Sequence, residues 1–454
     1  MSELPVAGRV VELVRRLAGP GAEAEAGIYH SAEELTRFAN SAIHQNVAEA
    51  TTVVRLRLHL DGRTASASTT ITDPAGLRSL VERTIAAARL APPDPLWAGL
   101  APPATVPGGV FDEATAHATP QERAARVRDF VRAAGGLETA GYCRTVHASG
   151  AFLNSSGHAV EGRAVEAAMD GIARSGGADG VARVAGDRLA DIDGAALGER
   201  AAAKARAGRR PIELPPGRYE VVLEPEAAAD VLNNLAAFGF NGKAYAQRQS
   251  FAELGTQQFD AAVTITDEPR SALPFDFEGT PRATLTLVDE GTTVGVAHDR
   301  SSASATGGAS TGHGSPASRS LGPVPTHMHL APGMAGTSVH AAAGPMAESA
   351  RPLVATVERG LLITDFWYTR VLDQKSLVVT GLTRNGVWLV EGGELRSAVS
   401  NMRFTQSYPQ ALCPGAVRGI GTAAIRLPDR WSGVQFVAPA VHLAGWNLTG
   451  NASG

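Results

Sequence analysis

The chain of 454 residues has few of the features that mark secreted, membrane-spanning or nucleic-acid-binding proteins. It has only two cysteines, Cys143 and Cys413, which excludes a disulfide framework. It contains no run of about 18 apolar residues, and charges interrupt the apolar positions of its N-terminal segment, so neither a spanning helix nor a signal peptide is expected. The net charge is −4 with no block of lysine and arginine, so nucleic-acid binding has no electrostatic basis. We expect a cytoplasmic protein whose two thiols are buried and reduced.

The length and composition favour a multidomain protein rich in β-structure. A chain of 454 residues is long enough for two or three domains, and 50 glycines with 27 prolines indicate many turns. Residues 92–120 are rich in Pro, Ala and Gly and lack periodicity, which predicts a linker. We therefore expect an α+β fold with two N-terminal α+β lobes, at residues 1–91 and 121–212. A larger C-terminal β-rich domain follows at residues 213–454.

The two predicted lobes share one order of helices and strands. In the first lobe, the apolar spacing predicts a helix over Val6–Leu17 and strands over Leu35–Val47 and Thr52–Leu60. Asp61-Gly62 predicts a tight hairpin, and Asp73-Pro74 predicts a helix start. The second lobe has predicted helices at Gln121–Ala134 and Gly194–Ala207 and predicted strands within Gly141–Ala168, with a turn at residues 154–157. The common order is compatible with an ancient duplication.

The stretch Gly217–Gly255 predicts a strand that leads into a helix. Tyr219–Leu223 is a short apolar and β-branched run. Pro225, with acidic residues on both sides, is typical of a first helical turn. Apolar residues recur at helical spacing up to Phe238, and Gly239 or Gly242 can end the helix. From composition alone this is an amphipathic helix packed on a sheet.

Several stretches together resemble the TldD/PmbA family of metallopeptidases. They are LTRFANSAIHQN at Leu35–Asn46, the strand and helix after Gly217, the region Glu358–Tyr408, and PAVHLAGWNLTG at Pro439–Gly450. Because these stretches are spread over most of the chain, the resemblance implies the fold of this family throughout.

The helix after Gly217 differs from the metal-binding pattern of that family. The resemblance implies a His-Glu-x-x-x-His motif at this place in TldD-type subunits, where the two His bind zinc and the Glu is the general base. Here Asn233, Asn234 and Phe238 stand at those positions. A neutral carboxamide is a poor zinc ligand and cannot activate water, and a phenyl ring has no lone pair to offer. The resemblance is therefore to the PmbA (TldE) type of subunit.

This resemblance implies a function that depends on a second chain. We expect a non-catalytic subunit that forms a heterodimer with a TldD-like metallopeptidase, and the partner supplies the zinc. The substrate would be a peptide held in a chamber between the subunits, in proteolysis or in maturation of peptides and natural products. Two alternatives stay open: a homodimeric peptide-binding protein without catalysis, and a stand-alone hydrolase with a metal site of its own.

The metal site of the last alternative would come from a segment rich in Gly, Ser, Thr and His, Val296–Pro345. Thr311-Gly312-His313 resembles the family's segment next to the central cleft and is a candidate for substrate or interface contact. His327 and His329 lie two residues apart, so a strand would place both on one face, where His313 could join them as ligands. The other interpretation is that these His only form hydrogen bonds within the loop.

Other candidate residues lie near the C-terminus. Arg370, Arg384 and Arg403 occur next to aromatic residues and turns, and could bind the C-terminal carboxylate of a peptide. They could equally pair with acids of the domain. Cys413 is interpreted as a buried thiol and not as a metal ligand. Ser315 lacks the sequence context of a hydrolase nucleophile.

Overall fold

The computed structural model describes residues 3–333, 344–428 and 434–452. Its N-terminal half has five helices, a short 3-10 turn at Leu189–Asp191 and six strands. The helices are α1 Leu4–Ala18, α2 Pro74–Leu90, α3 Glu113–Ala116, α4 Pro120–Ala133 and α5 Gly194–Ala207. The strands are β1 Glu23–Ala39, β2 Ala42–Leu60, β3 Arg63–Thr69, β4 Glu138–Asn154, β5 Ala159–Ser175 and β6 Ala178–Gly186.

The two expected N-terminal lobes contribute three strands each to one antiparallel sheet. The strand order is β3-β2-β1-β4-β5-β6, so β1 and β4 join the two halves at the centre. The predicted hairpin at Asp61-Gly62 is confirmed, since both residues have positive φ angles between β2 and β3. The prediction of one strand over Leu35–Val47 is wrong. Asn40 and Ser41, with φ of 49° and 61°, form a turn there that ends β1 and starts β2.

The helices cover one face of this sheet. Strand alternation directs Ala26, Ile28 and Leu56 to that face, where they pack with residues of α1 and α2 such as Val10 and Leu80. The start of α2 is as predicted, because the side chain of its N-cap residue accepts a hydrogen bond from the third residue of the helix. In the second half of the sheet, α4 and α5 lie over β4–β6. The opposite face of the sheet carries the polar side chains that alternate with these apolar residues along the strands.

The C-terminal half has six short helices, one π-helical turn and fourteen strands in the described ranges. The helices are α6 Pro225–Asn234, α7 Gly242–Ala246, α8 Arg300–Thr306, α9 Ser318–Leu321, α10 Arg351–Val354 and α11 Tyr408–Ala411, with the π turn at Leu235–Gly239 and a 3-10 turn at Glu348–Ala350. The strands are β7 Gly217–Leu223, β8 Thr256–Gln257, β9 Ile265–Asp267, β10 Leu285–Asp289, β11 Thr292–Thr293, β12 His327–Leu330, β13 Arg359–Asp373, β14 Val378–Glu391, β15 Glu394–Ala398, β16 Met402–Ser407, β17 Val417–Ile420, β18 Ile425–Leu427, β19 Gln435–Ala438 and β20 Val441–Asn451.

These strands form two sheets around one core. One sheet has the order β18-β19-β12-β9-β10-β11-β8. In the other, β13-β7-β20-β16-β14 close on themselves because β13 also pairs with β14. Helix α6 follows β7 into the core, where Leu232 of α6 and Leu235 of the π turn belong to the same buried cluster as Phe366 and Trp446. The segment rich in Gly, Ser, Thr and His that starts at Val296 contains α8, α9 and β12, and its residues 334–343 lie outside the described ranges.

The polar face of the N-terminal sheet lies against the C-terminal half. Gly162 shows how close the two halves are, because a Cβ atom there would lie 2.3 Å from Cδ of Pro274. The ion pair of Arg183 Nη1 and Asp365 Oδ2, 3.1 Å apart, also crosses this contact.

The two cysteines differ in burial. Cys143 is fully buried, and burial raises the pKa of its thiol to about 12. Cys413 is only partly buried, so the expectation that both thiols are buried is wrong for this residue. Both cysteines are free. No helix in the described ranges combines the length and apolar content needed to cross a membrane.

Candidate functional site

A cavity opens beside α6, and the three motif positions Asn233, Asn234 and Phe238 line it. In a regular α-helix, residues 233 and 238 would point about 140° apart, since each residue turns the helix by about 100°. The π turn Leu235–Gly239 changes this geometry, and the Phe240 N–H donates to the Leu235 carbonyl, five residues back, at 2.8 Å. The wider turn brings Phe238 to the wall that Asn233 also forms.

The cavity has a volume of about 340 Å³, within the range of roughly 300–1,000 Å³ typical of ligand sites. Its other walls come from β13, from the end of β18 and from β19. Trp367, Tyr368 and Phe436 give these walls an aromatic character. At Tyr368 the pairing of β13 with β14 slips, and the residue has a φ of 56° and is 64% exposed. This bulge directs side chains toward the cavity that a regular strand would place elsewhere.

Asp230 anchors the polar wall of the cavity. Its Oδ1 accepts a hydrogen bond from Thr369 Oγ1 at 2.9 Å, and its Oδ2 accepts one from the Tyr408 hydroxyl at 2.9 Å. Asn234 Nδ2 donates to the Asp230 carbonyl at 2.9 Å. Burial raises the pKa of Tyr408 well above its usual value, with Asp230 adding to the effect. Asn234 Nδ2 also lies 3.3 Å from Asp230 Oδ2, so the carboxylate accepts hydrogen bonds from side chains on three elements.

Acidic and basic residues meet behind this wall. Glu226 lines the cavity with its side chain fully buried, and its Oε1 lies 3.3 Å from Arg200 Nη2 on α5. Arg183 of β6 also lines it, between Asp170 and Asp365, each 3.1 Å away. The site is thus built at the contact between the two halves of the chain.

The donor set at the motif positions does not fit a catalytic zinc ion. Zinc in proteins is held by imidazole, thiolate or carboxylate groups. Asn233 and Asn234 each offer only a neutral amide oxygen, and Phe238 has no atom that could bind a metal. Asp230 itself is occupied by its two hydroxyl donors. The walls instead present aromatic rings and a few polar groups.

The structure places Thr311, Gly312 and His313 away from this cavity. Both ring nitrogens of His313 are engaged, Nδ1 with Thr311 Oγ1 at 2.8 Å and Nε2 with Asp267 Oδ2 at 3.0 Å. Burial alone would raise the pKa of Asp267. The hydrogen bond from His313 and the positive charge of Arg282 lower this pKa by more than burial raises it, so the net pKa lies below its usual range. Gly312 has a φ of 78°, which favours glycine. These residues therefore stabilise the fold through the hydrogen bond from His313 to Asp267 of β9.

His327 and His329 both lie on the short strand β12, but they have different partners. His327 Nδ1 lies 2.9 Å from Thr326 Oγ1, and burial lowers its pKa to about 3. His329 Nδ1 lies 3.0 Å from Glu268 Oε1. In the described ranges, no three His, Cys, Asp or Glu side chains are grouped so that they could hold a metal ion.

The three predicted arginines are in different surroundings. Arg370 lines the cavity, with its guanidinium 4.4 Å from the ring centre of Tyr368. Arg384 does not line the cavity, but its guanidinium lies 5.0 Å from the ring centre of Trp367, which does. Arg403 is exposed on β16 and does not line the cavity. Of the predicted residues, the structure therefore brings Asn233, Asn234, Phe238 and Arg370 together at the cavity, and Arg384 contacts the Trp367 ring.

A second, larger cavity was not predicted from the sequence. It has a volume of about 530 Å³ and lies between the polar face of β1–β3 and the C-terminal half. Trp97, from the segment predicted as a linker, closes one side by donating to Glu23 Oε2 at 2.7 Å and stacking on His59. The alternation of charged and apolar residues in β2 indicates a polar face of the sheet. It does not indicate that the C-terminal half lies over that face.

Comparison with protein families identifies the class. Residues 216–450 match the family model of the PmbA/TldA metallopeptidase C-terminal domain, and residues 24–88 match PmbA/TldA metallopeptidase domain 1. The first match alone covers more than half of the chain, so the chain belongs to the TldD/PmbA metallopeptidase family. The family resemblance described from the sequence is confirmed.

Solved structures share the fold over nearly the whole length. TldE from Thermococcus kodakarensis superposes with a TM-score of 0.83 at 17% identity, covering 98% of this chain and 100% of that one. A proposed modulator of a DNA gyrase from Thermotoga maritima superposes with a TM-score of 0.80 at 17% sequence identity. The match covers 99% of this chain and 100% of that one. A proposed modulator of DNA gyrase from Bacteroides thetaiotaomicron has a TM-score of 0.80 at 18% sequence identity, and the match covers 98% of each chain. At these identities the likeness concerns the fold, and no curated protein matches the chain.

Proposed function

We propose that this chain is a TldE-like, non-catalytic subunit of a TldD/TldE-type heterodimeric metallopeptidase. The observation that supports the proposal is the cavity beside α6, whose wall contains Asn233, Asn234 and Phe238, side chains that are poorly suited to bind zinc and unable to activate water. The partner supplies the metal and the general base. This chain supplies a wall of the peptide chamber.

The walls of the cavity support a binding role. Trp367 and Tyr368 present aromatic surface, and Arg370 supplies a guanidinium that can form paired hydrogen bonds with a peptide carboxylate. Such contacts orient a substrate for attack by groups on another subunit, which lowers the entropic barrier of the reaction. The substrate class is therefore a peptide, in proteolysis or in maturation of a peptide or natural product.

The test is co-expression of this chain with a TldD-like partner and measurement of peptide hydrolysis. We expect a one-to-one complex that contains zinc and is active, whereas this chain alone is inactive. An active chain without the partner, or zinc that is lost on His313→Ala and His327→Ala, would favour the stand-alone hydrolase. A chain that self-associates and does not bind the partner would favour a homodimeric binding protein.

The contribution of the cavity is tested in the active complex. Trp367→Ala removes an aromatic wall, so we expect the KM for peptide to rise by about tenfold, the effect of losing roughly 1.4 kcal/mol of binding. Arg403→Ala is the matched control, because this arginine is exposed and outside the cavity. Equal KM values for the two variants would contradict a role of the cavity in substrate binding.

A further inference from the structure

Four charged side chains line the cavity beside α6, and they differ in how far a ligand can reach them. Arg183 and Glu226 are 6% and 2% exposed, and each has an ion-pair partner. Asp230 is partly buried, and its two carboxylate oxygens already accept hydrogen bonds. Arg370 is exposed. A ligand in this cavity therefore meets an accessible positive charge at Arg370.

Tyr368 holds the guanidinium of Arg370 in a defined position. The guanidinium lies 4.4 Å from the ring centre of Tyr368, and such stacking leaves the N–H groups at its edge available for hydrogen bonds. Tyr368 has a φ of 56°, which is unfavourable for a bulky residue, and strain of this kind is concentrated at ligand sites. A guanidinium with available N–H groups binds a carboxylate through two parallel hydrogen bonds.

Most of the remaining wall is apolar. Phe238 and Trp367 are partly buried and Tyr368 is exposed, so a ligand can reach all three rings. Leu427 and Phe436 are buried beneath them in the same wall. The volume of about 340 Å³ is near the lower end of the range for ligand sites, so the space suits one or two residues of a peptide. The cavity can therefore enclose a large apolar side chain.

Two polar groups restrict what else can enter. The Asn233 side chain is partly exposed, and its amide offers both an acceptor oxygen and N–H donors to a peptide backbone. Asp230 adds a negative charge to the wall, and a second negative charge next to it would weaken binding. An acidic side chain is therefore disfavoured, whereas a terminal carboxylate can face Arg370.

We propose that this cavity selects peptides by their C-terminal residue, which has a free carboxylate and a large apolar side chain. The carboxylate binds Arg370, and Asn233 binds the last backbone amide groups. The side chain packs among the rings of Phe238, Trp367 and Tyr368. This selectivity rests on the proposed function, because the selected peptide is the substrate of the complex.

The test is calorimetric titration of the full chain with four probes: N-acetyl-Ala-Ala-Phe, its C-terminal amide, N-acetyl-Ala-Ala-Ala and N-acetyl-Ala-Ala-Asp. We expect the Phe probe to bind, and its amide to bind about tenfold or more weakly because a charge-assisted pair of hydrogen bonds is lost. The Ala and Asp probes should each bind about tenfold or more weakly than the Phe probe. Equal binding of the Phe probe and any of the other three, or no binding of any probe, would overturn the proposal.

Arg370→Gln tests the contact with the carboxylate. In this variant the Phe probe and its amide should bind equally, with an affinity close to that of the amide in the wild type. Arg403→Gln is the matched control, because this arginine is also exposed but lies on β16 outside the cavity, and it should keep the difference between acid and amide. Both side chains are exposed, so each variant should have the Tm of the wild type. A wild-type difference between acid and amide in Arg370→Gln would show that the carboxylate binds elsewhere.

The selectivity and the proposed function fail in distinguishable ways, because the titration uses this chain alone and hydrolysis needs the complex. Selective binding of the Phe probe by this chain, together with an inactive complex with a TldD-like partner, would contradict only the proposed function. An active complex whose TldE-like chain binds the acid and the amide equally would contradict only the selectivity for the C-terminal residue.

Discussion

The buried ion pair of Lys204 and Glu224 joins the two halves of the chain beneath α6. Lys204 Nζ lies 2.6 Å from Glu224 Oε2, and both side chains are fully buried. Burial raises the pKa of Glu224, but Lys204 and Arg200 lower it by more, so the net pKa is below its usual value. We predict that removing either partner destabilises the fold, and that the two losses differ.

The difference follows from the partners that each group keeps. After Lys204→Met, Glu224 still accepts from Thr364 Oγ1 at 2.7 Å and from the Ala347 N–H at 2.5 Å. We therefore expect a loss near ~3 kcal/mol, the lower end of the range for breaking a buried pair. After Glu224→Gln, the ammonium of Lys204 keeps Thr364 Oγ1 at 3.4 Å and has no carboxylate partner among the residues that the structure describes. We expect a loss near ~5 kcal/mol for this variant.

The assay is thermal and urea unfolding of the single variants and of Lys204→Met/Glu224→Gln. The double variant should be less destabilised than the sum of the single ones, because it leaves no unpaired buried charge. The control is Arg78→Met, which breaks a pair with Glu82 at 2.8 Å whose side chains are 60% and 52% exposed, and we expect a loss below about 0.5 kcal/mol. The reasoning is refuted if Lys204→Met costs as much as Glu224→Gln, or if both resemble Arg78→Met.

Two further predictions concern stability. The folded-state pKa of His327, about 3, lies below its unfolded value, so the unfolded chain binds more protons and stability is lost as pH falls from about 6.5 toward 3. The loss approaches ~1.4 kcal/mol per pH unit, and His327→Gln should flatten the change of Tm between pH 7 and 5. Gly162→Ala places a Cβ against Pro274 and should cost about 1–3 kcal/mol in thermal unfolding.

The His327 and Gly162 predictions each have an outcome that would contradict them. Parallel Tm profiles of wild type and His327→Gln would mean that this imidazole does not drive the acid sensitivity. For the glycine, Gly108→Ala is the matched control, because a Cβ atom at this position would have no neighbour within 4 Å and the φ of Gly108 is not positive. A Gly162→Ala variant as stable as Gly108→Ala would show that the two halves are less closely packed at this point.

Local chemistry explains which elements were predictable. The turn at Asp61-Gly62 and the start of α2 depend on residues that are neighbours in the sequence, so their side chains alone specify the backbone. The turn at Asn40-Ser41 was missed because serine rarely takes a positive φ and no glycine marks the place. Asn40 was the available signal, since asparagine tolerates this conformation.

The cavity beside α6 was predictable in its residues but not in its geometry. The positions of Asn233 and Phe238 came from a family resemblance, and regular helical spacing would have separated them. Their common wall depends on the π turn that ends at Gly239, where a Cβ atom would lie 2.3 Å from the ring of Phe251. That ring lies twelve residues further along the chain, so helical periodicity contains no information about it. The convergence of these side chains is therefore a property of the tertiary structure.

The contact between the two halves was not predictable because its charges pair across the whole chain. Strand alternation indicates that Arg57 and Arg183 lie on a polar face, but a polar face is compatible with solvent as well as with another domain. Their partners Glu278 and Asp365 lie 221 and 182 residues away. Ion pairs have fixed geometry, so a contact that depends on them leaves cavities between the pairs. Both cavities lie at this contact. Docking of the halves therefore determines the shape of both sites, so a substitution that loosens one should alter the other.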